Sequence, residues 1–497
     1  MITVPAARMS GLHRWGFAVA LTAVCGCPRP PLTTETHPPI DAGQDRDTAP
    51  VRPNVFFSTN RNVDLMFLID DSSSMRLSQD NLRRNFPVLM RQLENLPGGL
   101  PNVHVAVVSS DMGAGDGSVA SCDATGGKKG IFQYTARDAC TSTGLAAGAT
   151  YISNVAGVAN YTGKLEDVFT CIAALGQSGC GFEHQFAAIT RALGVDGRAA
   201  PAENQGFLRP DALLAIVLIT NEDDCSESPG VPFFDTGSNF NIASQLGPPI
   251  NFRCNEFGHL CDGGHPKRRP PANDPAASVT YGTCTSNDSE GFLLAVRDTA
   301  NRIKSLKGDD GQIVVAAITG PAAPYAVHWR NPSSPDASCG AASCPWPETT
   351  HSCLAADGSF GDPAVRVAEL VSHFGDNGRL LSICDDDFGP ALGDIADNIT
   401  RYVSAPCIVG QVAKRPGTTR DDCTVTDAET GGSVPSCHDT NGFGECWRLV
   451  DGGSMCSGAT IVVQADPSGG SGDPPGNLTI RCTMCVPGMP DPPVGCP

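Results

Sequence analysis

The chain has 497 residues, of which 34 are Lys or Arg and 53 are Asp or Glu, so its net charge is −19. A chain of this length has room for two or three domains, each with a sizeable hydrophobic core. The excess of negative charge argues against binding to nucleic acid or docking onto anionic lipid, because both are themselves negatively charged.

The first 27 residues have the features of an export signal. Basic residues precede an apolar stretch at 15–24, which is too short to span a bilayer and is typical of a signal-peptide core. Val24 and Gly26 before Cys27 resemble the lipobox of bacterial lipoproteins, which implies that Cys27 is lipidated. Pro28 in place of Asp implies the outer membrane. A plain secretory signal cut nearby is the alternative.

Residues 28–59 are expected to form a Pro-rich tether. Seven prolines lie between positions 28 and 56, among polar residues with little apolar content. Such a segment is semi-extended, at roughly 3 Å per residue, and could hold the rest of the chain several tens of Å from a membrane. No later stretch is apolar enough to span a membrane, so the lipid is the only membrane attachment expected.

Between residues 60 and 405, strand-like and helix-like segments alternate. Short apolar runs indicate strands at Val63–Ile69, Val103–Ser109, Leu213–Thr220, Ile313–Ile318 and Leu380–Ile383. Amphipathic runs indicate helices at Leu77–Leu96, Leu165–Ala174, Gln185–Leu193, Gly291–Leu306, Ala364–Phe374 and Pro390–Val403. This alternation predicts an α/β fold with a doubly wound, mostly parallel sheet.

The most informative motif follows the first of these strands. Asp70, Ser72 and Ser74 form an Asp-x-Ser-x-Ser loop, which brings a carboxylate and two hydroxyls to the carboxyl end of a strand. Oxygen ligands favour Mg²⁺, Mn²⁺ or Ca²⁺ over zinc. The segment resembles the metal-ion-dependent adhesion site (MIDAS) of von Willebrand factor type A domains. The alternative is that the serines only cap the following helix.

The resemblance implies two further ligands, and the sequence departs from the family at both. Glu183 lies at or next to the place of a family Thr, and Asn221 stands where an Asp is expected, with Asp223 as a substitute. In the family the cation keeps one position open for a partner's carboxylate. Two carboxylates, Asp70 and Glu183, would neutralise the cation internally and weaken its attraction for a partner. An open adhesive site and a purely structural cation are therefore two alternative interpretations. A third interpretation is that no metal binds and Glu183 is a solvated acid at a helix start.

Three long interruptions, at 111–162, 225–285 and 320–361, are rich in Gly, Pro, Ser and Asn and carry nine cysteines. Loops of this length are unusual unless they are compact, and disulfides would make them so. Short bridges at Cys122–Cys140 and Cys171–Cys180 are expected, although sequence alone does not determine connectivity. Two of the insertions follow strand ends, so they should surround the metal as recognition loops.

The cysteine count also supports export. Without Cys25 and Cys27, twelve of the 22 cysteines remain in the central region and eight at 406–497. Even numbers suit two separately disulfide-bonded domains in an oxidising compartment. The segment 406–497 is predicted to be a small β-rich module, with β-like runs at Ala459–Gln464 and Leu478–Cys482. Its Cys482-Thr-Met-Cys485 has zinc-like spacing, but structural disulfides are the preferred interpretation.

Several motifs resemble a narrower group, the Cys-rich type A domain lipoproteins predicted in myxobacteria and related bacteria. They are the segments 179–183, 207–211 and 221–226, together with Cys437 and Cys446-Trp447 in the C-terminal module. The resemblance covers most of residues 60–497. It implies a type A domain with disulfide-rich insertions, but no biochemical role.

The function expected from the sequence is binding of an unidentified protein or cell-surface ligand, by an envelope-anchored protein that uses a divalent-cation site. A scaffold protein with an internal cation is the first alternative. The second is a metal-assisted hydrolase using Asp70, Glu183 and Asp223, with His184 as a base. The sequence has no Gly-x-Ser-x-Gly, His-Glu-x-x-His or Gly-rich phosphate loop, so an enzyme is not expected.

Overall fold

The structure is a computed structural model. It describes residues 54–496 apart from short gaps at 97–98, 115–118, 120–121, 123–125, 138–139, 235–241, 270–276, 309, 331–345, 404–406, 409–410, 428–430, 442–445, 452–458, 465–476 and 486–493. The expected signal peptide, Cys27 and the tether up to residue 53 lie outside this part. None of the helices in the described ranges is long and apolar enough to cross a membrane.

The described residues contain seven α-helices, numbered in chain order: α1 (Arg76–Glu94), α2 (Leu165–Ile172), α3 (Gln185–Ala192), α4 (Phe252–Gly258), α5 (Val296–Lys304), α6 (Val365–Ser372) and α7 (Gly389–Val403). Short 3₁₀ turns occur at Ala202–Asn204, Asp310–Gln312 and Gly375–Asn377. Four of the α-helices lie within predicted helical runs, and α1 and α7 start one residue before theirs. The exception is α4, which lies in the second insertion.

Seven of the described strands, numbered along the whole chain, form the central sheet: β2 (Asn62–Ile69), β3 (Asn102–Ser109), β4 (Ile152–Val155), β5 (Val158–Ala159), β6 (Leu213–Ile219), β10 (Ile313–Thr319) and β15 (Gly378–Ser382). Their order is β15-β10-β6-β2-β3-β4-β5. The first five are parallel, and β4 and β5 add an antiparallel edge. The predicted α/β class with a largely parallel sheet is therefore confirmed.

Each face of the sheet packs against its own set of helices. On one face Phe67 contacts Phe86 of α1 and Phe169 of α2, with ring centroids 5.7 and 4.8 Å apart, and α7 packs in the same cluster. On the other face Met66 and Leu68 pack with α3, α5 and α6. Continuous apolar runs such as β2 are explained by this burial on both faces.

The insertions contribute the remaining strands of the central region: β7 (His259–Cys261), β8 (Val279–Tyr281), β9 (Cys284–Ser286), β11 (Tyr325–Arg330), β12 (Trp346–Thr349), β13 (Cys353–Leu354) and β14 (Phe360–Gly361). The sheet β12-β11-β8 joins the second insertion to the third. Disulfides Cys225–Cys254 and Cys261–Cys284 lie within the second insertion. The described parts of these insertions are thus folded rather than extended loops.

The expected short bridges are wrong. The structure pairs Cys122 with Cys180 and Cys140 with Cys171. Pairing by shortest separation failed because Cys171 is held on α2, whereas Cys180 packs near Cys122 in a cluster around Phe182.

The C-terminal module consists of two sheets, β1-β21-β17-β18 and β16-β20-β19. Its strands are β1 (Asn54–Asn60), β16 (Cys407–Ile408), β17 (Cys423–Asp427), β18 (Ser433–Val434), β19 (Cys446–Asp451), β20 (Ala459–Gln464) and β21 (Asn477–Thr483). The tether was expected to continue to residue 59, but β1 occupies its end and pairs along its whole length with β21. The β-branched and aromatic sequence of β1 suits a strand.

Both cysteines of the Cys-x-x-Cys sequence are in disulfides. Cys482 bonds to Cys423 and Cys485 to Cys496, which confirms the structural interpretation. Among the described disulfides, none joins the central region to the C-terminal module.

Peptide mapping of the non-reduced protein will distinguish the two pairings of the first insertion. We expect Cys122 linked to Cys180 and Cys140 linked to Cys171, after digestion at acid pH with free thiols blocked. The Cys437–Cys446 bond serves as the internal control, since it joins near neighbours. Recovery of a Cys122–Cys140 peptide would contradict the structure.

Candidate functional site

The Asp-x-Ser-x-Ser loop joins β2 to α1 at the carboxyl edge of the sheet. Asp70 is completely buried. Its Oδ1 accepts the Ser72 N–H at 2.8 Å, and its Oδ2 accepts the Thr220 hydroxyl at 3.1 Å. Burial raises the pKa of Asp70, and these hydrogen bonds partly oppose that effect. The alternative of a simple helix cap is wrong, because Met75 is the residue before α1 and no side chain caps the helix.

The structure brings the two serines and Asn221 together. The hydroxyls of Ser72 and Ser74 lie 3.1 Å apart, and Ser74 donates to Oδ1 of Asn221 at 3.1 Å. Neighbouring ligands of an octahedral Mg²⁺ are separated by about 3 Å, given metal–oxygen distances of about 2.1 Å. The hydroxyl and amide oxygens therefore have a spacing that suits a hard cation.

Glu183 lies in the loop before α3, beside this group. It is 1% exposed, and its Oε1 has no hydrogen-bond partner among the described residues. Burial raises its pKa well above the usual range, and the nearby Glu222 and Asp70 raise it further. A buried carboxyl without a counter-charge is costly, and a bound cation would remove that cost. Glu183 thus fits the role of an internal ligand.

Glu222 is a site residue that the sequence analysis did not select. Burial, Asp362 and Asp70 raise its pKa to about 8. Asn251, just before α4, donates to its Oε2 at 2.7 Å. The only sequence signal was its position between Asn221 and Asp223 after β6. Asp362, at the end of the third insertion, carried no signal of its own.

Asp223 does not join the group. Its Oδ2 accepts His259 Nε2 at 2.8 Å and the Arg366 N–H at 2.8 Å, and its Oδ1 accepts the Val367 N–H at 3.0 Å. Burial alone would raise the pKa of Asp223, but these partners lower it. The expectation that Asp223 could replace the missing Asp is therefore wrong. Its carboxylate instead satisfies the first turn of α6.

Residues in or next to all three insertions contact the site. Lys128 of the first insertion forms an ion pair with buried Asp71, next to Asp70. Burial lowers the pKa of Lys128 to about 8. Asn251 belongs to the second insertion, and the N–H of Asp362 donates to the Asn221 carbonyl at 2.7 Å. Residues of the first two insertions and Asp362, directly after the third, thus lie at this edge, and their role as recognition loops around a metal stays a prediction.

The donors suit magnesium, manganese or calcium in chemical type. Asp70, Ser72, Ser74, Asn221 and Glu183 offer only oxygen atoms, which hard cations prefer. Among the described residues, no cluster of three or more His, Cys, Asp or Glu side chains has the arrangement of a metal site. A site here would thus depend on hydroxyl and amide oxygens as well as carboxylates.

Comparison with protein-family models and with curated proteins gives no match. Among solved structures, the chain is similar to the pilus adhesin RrgA from Streptococcus pneumoniae, with 11% sequence identity and a TM-score of 0.23. The alignment covers 86% of this chain and 58% of the adhesin. A similarity this distant carries no argument about fold or function.

Stability should depend on pH through Glu222. The folded protein keeps this carboxyl protonated up to about pH 8, whereas the unfolded chain releases the proton near 4.5. The folded state therefore binds more protons between these values, and its free energy of unfolding falls as pH rises through them. Glu222→Gln should flatten that fall by on the order of 2 kcal/mol, after allowance for partial solvent screening.

Urea unfolding in chelator, at pH values from about 5 to 8, measures this effect. Glu94→Gln, on the exposed end of α1, is the matched control and should keep the slope of the parent protein. An equal slope in Glu222→Gln would mean that Glu222 is not protonated in the folded state.

Proposed function

We propose that residues 60–405 form a von Willebrand factor type A domain that binds a divalent cation and recognises a protein or cell-surface ligand. The parallel sheet with helices on both faces supports the fold. The function rests on one observation above all: Asp70, Ser72, Ser74 and Asn221 are linked at one point of the carboxyl edge. Open α/β sheets bind ligands at this edge.

In this proposal Asp70, Ser72, Ser74, Asn221 and Glu183 hold Mg²⁺, Mn²⁺ or Ca²⁺. The ion would supply positive charge to a region where burial raises the pKa values of Asp70, Glu183 and Glu222. The surrounding insertions then present side chains to the ligand. Anchoring through Cys27 would place the protein in a bacterial envelope, at the outer membrane. No catalytic role is part of the proposal.

A second candidate is a structural cation that holds the loops together without contacting a partner. The observation that favours it is the position of Glu183, a second carboxyl at 1% exposure beside Asp70. Two carboxylates neutralise a divalent ion, so its attraction for a partner's carboxylate is weak. The protein would then be an envelope scaffold, or would recognise its ligand with the insertions alone.

Calorimetric titration of Mg²⁺, Mn²⁺ and Ca²⁺ into the oxidised protein tests the cation site. We expect binding by the parent protein and none by Asp70→Ala, because the buried carboxylate is the main charge in the donor set. Asp80→Ala is the control, since Asp80 lies on α1 in surface ion pairs with Arg76 and Arg83. Equal affinity in Asp70→Ala and the parent would rule out this site.

Glu183→Thr separates the open cation from the internal one. With the cation site occupied, this variant should bind a glutamate-containing peptide at least about tenfold more tightly than the parent if Glu183 neutralises the ion. The comparison is made by fluorescence anisotropy in Mg²⁺ and in chelator. No gain in Mg²⁺ would show that Glu183 is not what closes the site.

A further inference from the structure

A cleft of about 460 Å³ opens beside Glu222, between the second and third insertions. Four of the residues that line it are Phe or Trp: Phe182, Phe252, Trp346 and Phe360. Phe182 and Phe252 are buried in the protein, whereas Trp346 and Phe360 remain partly exposed. Such a cavity can enclose a side chain of a ligand rather than only contact it on a flat surface.

The polar part of the cleft is acidic. Glu222, Glu348 and Asp362 line it, and His351 is the one basic side chain among the described lining residues. His351 is already hydrogen-bonded to Asp362 through Nδ1 at 2.5 Å. No described lysine or arginine lines the cleft. Because Glu222 stays protonated up to about pH 8, the negative charge of the cleft at neutral pH comes from Glu348 and Asp362, against a single basic side chain, His351.

A smaller space beneath the cleft reaches Glu183. Glu222, Asn251 and Asp362 line both spaces, and Glu183 lines the lower one. The Oε1 atom of Glu183 has no hydrogen-bond partner among the described residues. This second space measures only about 10 Å³, which suits a single water-sized donor, so Glu183 is a neighbour of the cleft and not part of its wall.

We propose that this cleft binds an arginine side chain of a partner polypeptide. A guanidinium carries a full positive charge, donates up to five hydrogen bonds and stacks on aromatic faces. The carboxyl groups of the cleft can balance the charge of a guanidinium and accept its hydrogen bonds. The aromatic side chains in the walls offer a face on which it can stack. The inference deepens the proposed function by naming the partner chemistry at the same edge of the sheet.

Other ligand chemistries fit less well. An acidic peptide would bring its charge against Glu348 and Asp362, which costs free energy. A purely apolar side chain would cover these polar groups without adding a hydrogen bond to any of them, which is also unfavourable. A lysine ammonium could approach the carboxyls, but it lacks the planar surface that stacks against Trp346.

The test uses three labelled peptides with the sequence Gly-Gly-X-Gly-Gly, in which X is arginine, citrulline or glutamate. Citrulline has nearly the shape of arginine without its charge. Fluorescence anisotropy is measured with the oxidised full chain in chelator, at near-physiological ionic strength, because the net charge of −19 attracts any cation at low salt. Chelator keeps the result independent of the proposed cation.

The arginine peptide should bind at least about tenfold more tightly than the citrulline peptide, and the glutamate peptide most weakly. Trp346→Ala should weaken arginine binding by about fivefold or more through loss of the aromatic wall. Glu348→Gln should weaken it by about threefold, with little risk to folding, because the Glu348 side chain is 43% exposed and its pair with His328 lies at the surface. Glu94→Gln, at the opposite edge of the sheet, is the matched control.

Equal binding of the arginine and citrulline peptides would overturn the proposal and point to an apolar occupant. Unchanged arginine binding in both Trp346→Ala and Glu348→Gln would also overturn it, because the cation would then sit elsewhere on the acidic surface. Because peptide binding is measured in chelator, a calorimetric titration that finds no metal binding would not change these results. The failure of the cleft and the failure of the cation site are therefore distinguishable.

Discussion

The burial of Asp70 at the end of β2 is the constraint on which this edge of the molecule depends. A carboxyl group with no exposed surface must either be protonated or be compensated by donors and positive charge. The chain supplies the N–H of Ser72 and the hydroxyl of Thr220. These are dipoles rather than charges. Lys128, which is paired with the adjacent Asp71, adds a favourable electrostatic interaction with Asp70.

Neighbouring loops are tied together through their backbones, independently of any ion. The Cys225 N–H donates to the Glu183 carbonyl at 2.7 Å, and the Asp362 N–H donates to the Asn221 carbonyl at 2.7 Å. The disulfide Cys225–Cys254 then connects the loop after β6 to α4. Because such links hold the acidic side chains in place, burial and, after it, repulsion between neighbouring acids raise the pKa values of Glu183 and Glu222 instead of separating the loops.

The sequence was informative wherever a residue's role follows from its own strand or helix. β2, β3, β6 and β10 were predicted within one or two residues because strands buried on both faces read as unbroken apolar runs. Asp70, Ser72 and Ser74 stood out because their loop directly follows such a strand, whereas Asn221 was selected through the resemblance to type A domains.

Contacts between residues far apart in the sequence could not be predicted in this way. Asp223 carries the same charge as Glu222 and is its neighbour, yet it bonds to His259 and the start of α6, while Glu222 turns toward the cleft. Which of two adjacent acids enters a site depends on partners 36 and 143 positions away. The disulfide pairing predicted for the first insertion was wrong for a related reason. Its two cysteines bond to partners on α2 and on the loop before α3, and the sequence alone does not show which partner is close to which cysteine.

Glu222 couples the two proposed sites, because it lies near Asp70 and Glu183 on one side and lines the cleft on the other. A divalent ion held by Asp70 and Glu183 would lower the negative potential that an arginine in the cleft experiences. An arginine would do the same to the ion. Such coupling is reciprocal, so whatever factor the ion removes from arginine affinity, arginine must remove from ion affinity. By the same argument, a bound ion would raise the affinity for an acidic partner. The concentration of divalent cation would thus select between basic and acidic partners at one edge of the sheet.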